Sequence, residues 1–581
     1  MSKLNVDQKT VKELFENKKS DFLIPDYQRP YAWQESECLT LWEDIFSFAF
    51  PEDDYSKFDS DNDEYFLGPI VTFKNDEGKM EIIDGQQRLT TLMLLLRAFY
   101  EKYGNMKDQH SVKTRENIER CIWKTDEFGN PDLNKLKIDS EVATDNDKDE
   151  FLRILRSGKA PKENRSNYAI NYRLFQGKIN EFLSDYPSYF SYLPTRILNN
   201  CILLPIEADS QNTALRIFST LNDRGKPLSD ADIFKAQFYK FFSGIGQKDE
   251  FIKQWKALEE LCEKIFHPIS GTPMDELFTR YMYYERARMG IKVSTTEALR
   301  KFYEKDNYKL LKSKSTFNNL IILARFWDDV SDQNIERFSD RVLRKLFVLN
   351  YAPNGMWTYF VSVYFMQNKD ENEMLDDDRF YAFLDKITAF IWAYAITNPG
   401  VNALRTPVYA EMINVVQGLP VEFKDYKFNL QTIENIFEHF DFNNGRPITK
   451  AMLTWWAFTN KNQQLLSLES VFEIEHIYAR NRQDKEKTLT DSRNLEVLGN
   501  KALLEKRINI RASDYRFVDK TKYYKGFANK RGQKKDGTKN AELLAMAENC
   551  SDFLEKDIVD RNNKIIKTFL DYLKKVNLVK E

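Results

Sequence analysis

The residues with the clearest capacity for chemistry lie between 471 and 509. Glu475-His476 closes the run VFEIEH, and His476 is one of only 4 histidines in 581 residues. A polar, charged stretch follows, and then NLEVLGNKALLEKRIN, where Asn500 comes directly after Gly499 and the segment ends on Asn509. Imidazole can take a proton from water near neutral pH without a large shift. An amide such as Asn500 can fix the imidazole tautomer, and oxygen donors nearby suit a hard cation that offsets charge on a phosphate. The combination points to hydrolysis of a phosphodiester. A lone Glu-His pair is more often an ordinary, partly buried histidine; it is the spaced set that carries the reading.

The elements that must position these groups are short. Alternation in Val471-Phe472-Glu473-Ile474 predicts a strand that delivers Glu475 and His476 at its end. The apolar run Leu495–Leu504 carries Asn500, and Asn509 falls at the start of a helix, so the three together read as a ββα unit.

A second set of polar residues lies near the N-terminus, in FLIPDYQRPYAW (22–33) and FLGPIVTFKNDEGKMEIIDGQQRLTTL (66–92). The latter predicts a hairpin, with strands Phe66–Phe73 and Met80–Ile83 joined by a turn at 75–78. Asp84-Gly85 breaks the second strand, Gln86-Gln87-Arg88 follows, and a helix runs from Leu89 to Tyr100. Polar donors and an arginine at a helix N-terminus suit an anion, because free backbone N–H groups and the helix dipole both point there. Arg88 could grip a phosphate with two parallel bonds; Asp84 acting only as a cap is the plainer alternative.

Both sets resemble one family. EIEHIYARN…LGNKALLEKRIN…DYRFVDK resembles the C-terminal HNH (His-Me finger) nuclease domain of GmrSD-like type IV restriction endonucleases. That resemblance implies His476 as general base, Asn500 as the residue orienting it, and Glu475 and Asn509 as ligands of Mg2+ or Mn2+. The third motif position is often His in such enzymes and is Asn509 here, which weakens the metal assignment more than the base. IPDYQRPYAW, DGQQRLTTL and FSTLNDRGKPLSDADIFKA (218–236) resemble, in order, the ParB-like DGQQR domain of the same proteins. The resemblance implies a nucleotide site that binds and hydrolyses an NTP, GTP or ATP, at Asp84, Gly85, Gln86, Gln87 and Arg88, with Asp84 and Arg88 catalytic. Tyr27, Gln28 and Arg29 are its neighbours, and Asn222, Arg224 and Gly225 are weaker members. No GxxxxGK[ST] occurs, so the module is not of P-loop type. The implied target is DNA, in particular modified phage DNA such as glucosylated hydroxymethylcytosine or phosphorothioate DNA.

Composition sets the outer limits. A chain of 581 residues holds several domains. The expected architecture is α+β, multidomain and predominantly helical: a ParB-like domain over 1–243, a helical linker or sensor region over 247–445, and a ββα-metal (HNH) nuclease domain over 446–581. Gly244-Ile245-Gly246 and NNGRP (443–447) mark the boundaries. Cys38, Cys121, Cys201, Cys262 and Cys550 lie far apart with no zinc spacing, which suits a reducing cytoplasm. MSKLNVDQKTVKELF reads as a polar amphipathic helix rather than a signal peptide, and no apolar run is long enough to span a bilayer. The expectation is a soluble cytoplasmic protein without a membrane partner, compatible with a homo-oligomer.

Net charge is −3, an odd balance for a DNA-binding chain, but it is unevenly spread. From Arg480 to Lys535 there are 17 Lys/Arg against 7 Asp/Glu, interleaved with Tyr515, Phe517, Tyr523, Tyr524 and Phe527. Such a stretch can follow a phosphate backbone and touch bases, although charge runs are more often plain solvated surface. Pro51–Glu64 is acidic and reads as a flexible solvated loop. The middle of the chain is helical by period, and its aromatics, among them Trp327, Trp357, Trp392, Trp455 and Trp456, are most simply core; a cage for a flipped base is the sharper alternative. Two other functions stay open on the residues alone: an NTP-dependent DNA-binding sensor with an inactive nuclease site, and an NTPase with a regulatory C-terminal region.

Overall fold

The computed structural model describes residues 5–17, 20–104, 106–142, 145–210, 213–214, 217, 229–398, 400, 403–513, 516–528 and 532–580. The chain is α+β and predominantly helical, and it divides into two compact units, residues 1–256 and 257–581.

The first unit is built on a seven-stranded mixed sheet. Its strands are β1 (Asn5–Val6), β2 (Lys9–Thr10), β3 (Phe22–Ile24), β4 (Tyr65–Lys74) and β5 (Met80–Asp84), together with β8 (Ile138–Ser140) and β9 (Cys201–Ala208); β6 (Trp123–Thr125) and β7 (Pro131–Leu136) form a separate ribbon. The order is β1-β9-β4-β5-β3-β8, with β2 also on β9. The expected hairpin is the β4–β5 pair, which is antiparallel, while β4 runs parallel to β9 and β3 parallel to β5. Helix Gln86–Tyr103 leaves the end of β5 and is buried almost all round, as its run of leucines requires.

Two local expectations change. The N-terminal segment is helical only over Val11–Glu16, because Thr10 and Glu13 form a capping box that sets the start, and the residues before it pair with β9. The acidic stretch Pro51–Glu64 holds two short 3-10 turns and is anchored: Arg196 donates to the carbonyls of Ala49 and Tyr55 and lies 4.1 Å from the Phe58 ring, and Asn200 donates to the carbonyls of Ser60 and Asp63.

The second unit is a helical assembly with a small hairpin. Helix Asp377–Thr397 is its central rod, with Phe383, Ile387, Phe390, Trp392 and Ile396 all buried. The other tryptophans named above, Trp327, Trp357, Trp455 and Trp456, are also buried. Strands β10 (Phe472–His476) and β11 (Lys501–Glu505) pair antiparallel with His476 opposite Lys501; β12 (Gly526–Ala528) and β13 (Lys534–Asp536) form a second small ribbon. The long helix Glu555–Lys575 ties hairpin to rod. Near its start Arg561 donates to the carbonyls of Leu498, Gly499 and Lys501, and near its end Tyr572 donates to Asp385 of the central helix. Among the described residues no helix is long and apolar enough to cross a membrane.

Candidate active site

β10 places alternate side chains on opposite faces of the hairpin. Glu473 and Glu475 face the helices that follow β11, while His476 lies on the other face at the strand end. Asn509 sits in helix Lys506–Ala512 and donates to Glu473 Oε2 at 3.2 Å. Glu475, 3% exposed, accepts from Lys520 Nζ at 2.7 Å and from the Tyr524 hydroxyl at 2.5 Å. Both partners are buried and belong to helix Phe517–Lys525. Lys520 Nζ also donates to the main-chain carbonyl of His476 at 2.6 Å, so one ammonium holds both residues of the Glu-His pair. Burial raises the Glu475 carboxyl, and the Lys520 charge opposes that rise.

His476 has a side chain only 13% exposed, and its Nε2 lies 3.6 Å from Glu496 Oε2 without a hydrogen-bond partner. Burial, helped by the Lys501 charge and opposed by Glu496, lowers its pKa from 6.5 to about 4. The imidazole is therefore neutral at physiological pH, the form that can accept a proton, but it is a weaker base than the unshifted histidine expected from the sequence. Lys501, fully buried, donates to Glu496 and to the Phe442 carbonyl, and Arg480 pairs with the same glutamate.

Asn500 acts differently from the expectation. Its Oδ1 accepts from the Tyr478 N–H at 2.7 Å, and its Nδ2 donates to the carbonyls of Tyr478 and Leu495, both at 3.0 Å. With all of these polar groups bonded to backbone, it clamps the segment leaving His476 instead of orienting the ring. Glu473, Glu496, Lys501, Lys520 and Tyr524 are the neighbours that sequence reasoning missed. Lys520 and Tyr524 stand four apart, which puts them on one face of a helix, but nothing in that spacing points to Glu475.

The helix-facing side carries two carboxylates, Glu473 and Glu475, and the Asn509 amide, but Lys506 and Lys520 already pair with the carboxylates and His476 lies on the other face, so these side chains as placed do not form a hard-cation site beside the imidazole. Among the described residues no group of three or more His, Cys, Asp and Glu side chains converges on one point. Any ion there would share Glu475 with Lys520.

The basic stretch divides in two. Phe517 and Tyr524 are core, and Arg482 and Lys520 are buried in ion pairs with Asp552 and Glu475; Tyr515 lies outside the described residues. Others line an open groove of about 810 Å³, among them Lys506, Arg507, Arg511, Lys534 and Lys535, joined there by Lys539 just beyond the stretch. The groove opens at the Phe472–Glu505 end of the hairpin. His476 stands at the other end, about 14 Å along a strand that rises about 3.4 Å per residue.

In the first unit, Gly85 takes φ 90°, ψ 0°, a left-handed turn that suits glycine, and it starts helix Gln86–Tyr103 with no side-chain cap. The first N–H groups of that helix are thus left without a capping side chain. Arg88 is tucked under β4, donating to the Pro69 carbonyl at 2.9 Å. Burial raises the Asp84 carboxyl, while the Gly85 N–H and the Arg88 and Arg29 charges pull it down. The three glutamines serve as staples. Gln28 donates to the carbonyls of Ile82 and Ile83, Gln86 to that of Arg29, and Gln87 bonds Pro30, Ala32 and Trp33. They fasten the IPDYQRPYAW segment to the helix start and bring Arg29 to the neighbourhood of Asp84. Tyr27 donates to Glu81. Asn222, Arg224 and Gly225 lie outside the described residues.

A neutral histidine on a hairpin, with a basic groove on the same unit, belongs with enzymes that cut nucleic acid. Comparison with protein families makes this specific. Residues 11–239 match the N-terminal domain of the GmrSD restriction endonucleases, and residues 427–568 match their C-terminal domain. The chain belongs to that family and is a restriction endonuclease of type IV. No curated protein matches it.

Proposed function

We propose that the chain cuts modified phage DNA by metal-assisted hydrolysis at His476, under the control of a nucleoside triphosphate held by residues 1–256. The implied folds are ββα-metal for the C-terminal match and ParB-like for the N-terminal one. The observation that carries the reading is the unpaired Nε2 of a neutral His476. That atom is the proton acceptor for an attacking water, a role that supplies about 10²–10⁴-fold in rate. Lys520 and Asn500 hold the backbone at and just after His476, which steadies the strand end that carries the ring. A Mg2+ or Mn2+ ion held by Glu475 and Asn509, the ligands that the family resemblance implies, would offset charge developing on the phosphate once Glu475 exchanged Lys520 for the metal. In the N-terminal unit, Arg88 and the uncapped start of helix Gln86–Tyr103 receive the phosphates, and Asp84 completes the site.

The test is cleavage of modified phage DNA and of plain plasmid by wild type and His476→Ala, with Mg2+ or Mn2+, with and without GTP or ATP. Metal-dependent cutting that His476→Ala abolishes, and Arg88→Ala alters only in its response to nucleotide, is the expected result. Cutting that survives both substitutions sinks the reading.

A further inference from the structure

The helical part of the second unit contains a cavity of about 250 Å³ that none of the chemistry above uses. Phe266, Arg280, Trp327, Phe347, Trp357 and Leu468 form its walls. Arg280 is the unusual member. It is 7% exposed, and its guanidinium carbon lies 4.4 Å from the centroid of the Phe266 ring and 4.2 Å from that of Trp327. Its Nε donates to Glu276 at 2.9 Å, yet Nη1 is buried with no hydrogen-bond partner among the described residues. A buried donor left unmet costs about 1–3 kcal/mol, and more when charged. The ion pair with Glu276 and the two aromatic rings account for the guanidinium's charge and its packing, but not for Nη1, which is left without an acceptor.

The walls define what would satisfy it. Two rings pack against the guanidinium and its Nε is bonded to Glu276, so a ligand must meet Nη1, with an acceptor oxygen or nitrogen. Trp327 and Trp357 stand 5.6 Å apart at 67° and offer indole surface; the Trp327 N–H is already committed to Ser362. The volume lies just below the roughly 300–1,000 Å³ of sites for larger ligands, which suits a single planar ring system. Glu276 already balances the Arg280 charge, so the remaining donor suits a neutral ring with a keto edge rather than an anion. Arginine reads a keto oxygen and ring nitrogen in just this edge-on way in nucleic acids.

The cavity also touches the catalytic strand. Phe347 packs edge-to-face on Phe472 of β10 with centroids 6.2 Å apart. Gln333 holds the segment leading into β10, donating to the Leu466 carbonyl and accepting from the Leu468 N–H.

We propose that this cavity is a binding site for one nucleobase. The inference rests on DNA being the substrate only where the base comes from DNA, flipped out of the duplex; a free nucleoside is the other source of the same chemistry. The experiment uses full-length His476→Ala protein, so that binding is read without cutting. Guanosine, cytidine, adenosine and thymidine are tested by equilibrium dialysis. Duplexes with and without one mismatched pair are tested by anisotropy, because a mismatched base costs least to flip. Each is repeated with Arg280→Met, which removes the donor, and with Ser331→Trp, an exposed rim position whose substitution plugs the mouth without touching the core. Saturable nucleoside binding, or a preference for the mismatch of about tenfold (roughly 1.4 kcal/mol), lost in both variants, supports the site and names its source. No binding of either kind, or binding that Ser331→Trp leaves unchanged, overturns it and leaves a water-filled cavity. Neither signal depends on whether wild type cuts DNA, so failure here and failure of the cleavage reading are distinguishable.

Discussion

At the scale of single residues, the Glu475–Lys520 pair decides how the Glu-His dipeptide is held. Both side chains are nearly fully buried, and taking one away leaves the other charge without compensation. Breaking such a pair costs about 3–5 kcal/mol, whereas replacing both members is much cheaper. Lys520→Met should therefore lower stability by about that amount in a denaturant titration, and Glu475→Gln/Lys520→Met should recover a large part of it. Equal losses in the single and double variants would mean the pair is only a contact. His476, Glu475, Asn500 and Asn509 could be singled out because strand alternation and a glycine-asparagine step mark them in sequence, although the bonds Asn500 makes differ from the role expected for it. Lys520 and Tyr524 were not: they lie more than forty residues further on, inside a stretch whose charge suggested DNA, and their pairing with Glu475 depends on tertiary packing that no local pattern encodes. The DGQQR residues were equally visible, but the sequence could not show that the glutamine amides are spent on backbone groups.

At the scale of elements, the site depends on helix Glu555–Lys575 closing against the turn before β11. A Cβ on Gly499 would stand 2.1 Å from the Ile558 carbonyl oxygen and 2.8 Å from the Asn562 nitrogen, both backbone atoms that cannot swing aside. Gly499→Ala should cost about 3 kcal/mol and reduce cleavage further than that loss explains, because Asn500 moves with the turn. A melting curve and a cleavage assay below the melting point separate the two effects. The helix start adds a pH-dependent tie. Glu555 accepts from the Thr490 and Asp491 N–H groups and from Asn494, which lowers its pKa from 4.5 to about 2. A carboxylate whose folded pKa is depressed stabilises above its unfolded value and loses that contribution as pH falls through the folded one. Glu555→Gln should melt lower than wild type at pH 7, by about 1 kcal/mol after solvent screening, and the gap should close between pH 4.5 and pH 2. A gap independent of pH would assign the effect to packing. Strands β4, β5 and β10 and the helix Gln86–Tyr103 were readable from period, while the other strands of the seven-stranded sheet were not; nor was the anchoring of Pro51–Glu64, since it comes from Arg196 and Asn200 far along the chain.

At the scale of the whole molecule, the net charge of −3 says little about DNA, because the fold sorts the cations. Arg482, Lys501 and Lys520 are buried and paired, so they cannot neutralise phosphates, whereas Lys506 and Arg507 are exposed on the groove wall with Arg511 behind them. This makes the salt dependence of binding a direct readout of which cations touch DNA. Each phosphate neutralised contributes about −0.9 to the slope of log K against log salt. Arg507→Gln/Arg511→Gln should flatten that slope by about 2 and weaken binding to every sequence alike. Arg482→Gln, which removes one charge from the same stretch of sequence, should lower stability and leave the slope unchanged, where an exposed cation in contact with phosphate would flatten it by about 0.9. If both variants flatten it equally, the groove is not the path of the backbone, and the charge of the segment acts only through the long-range field.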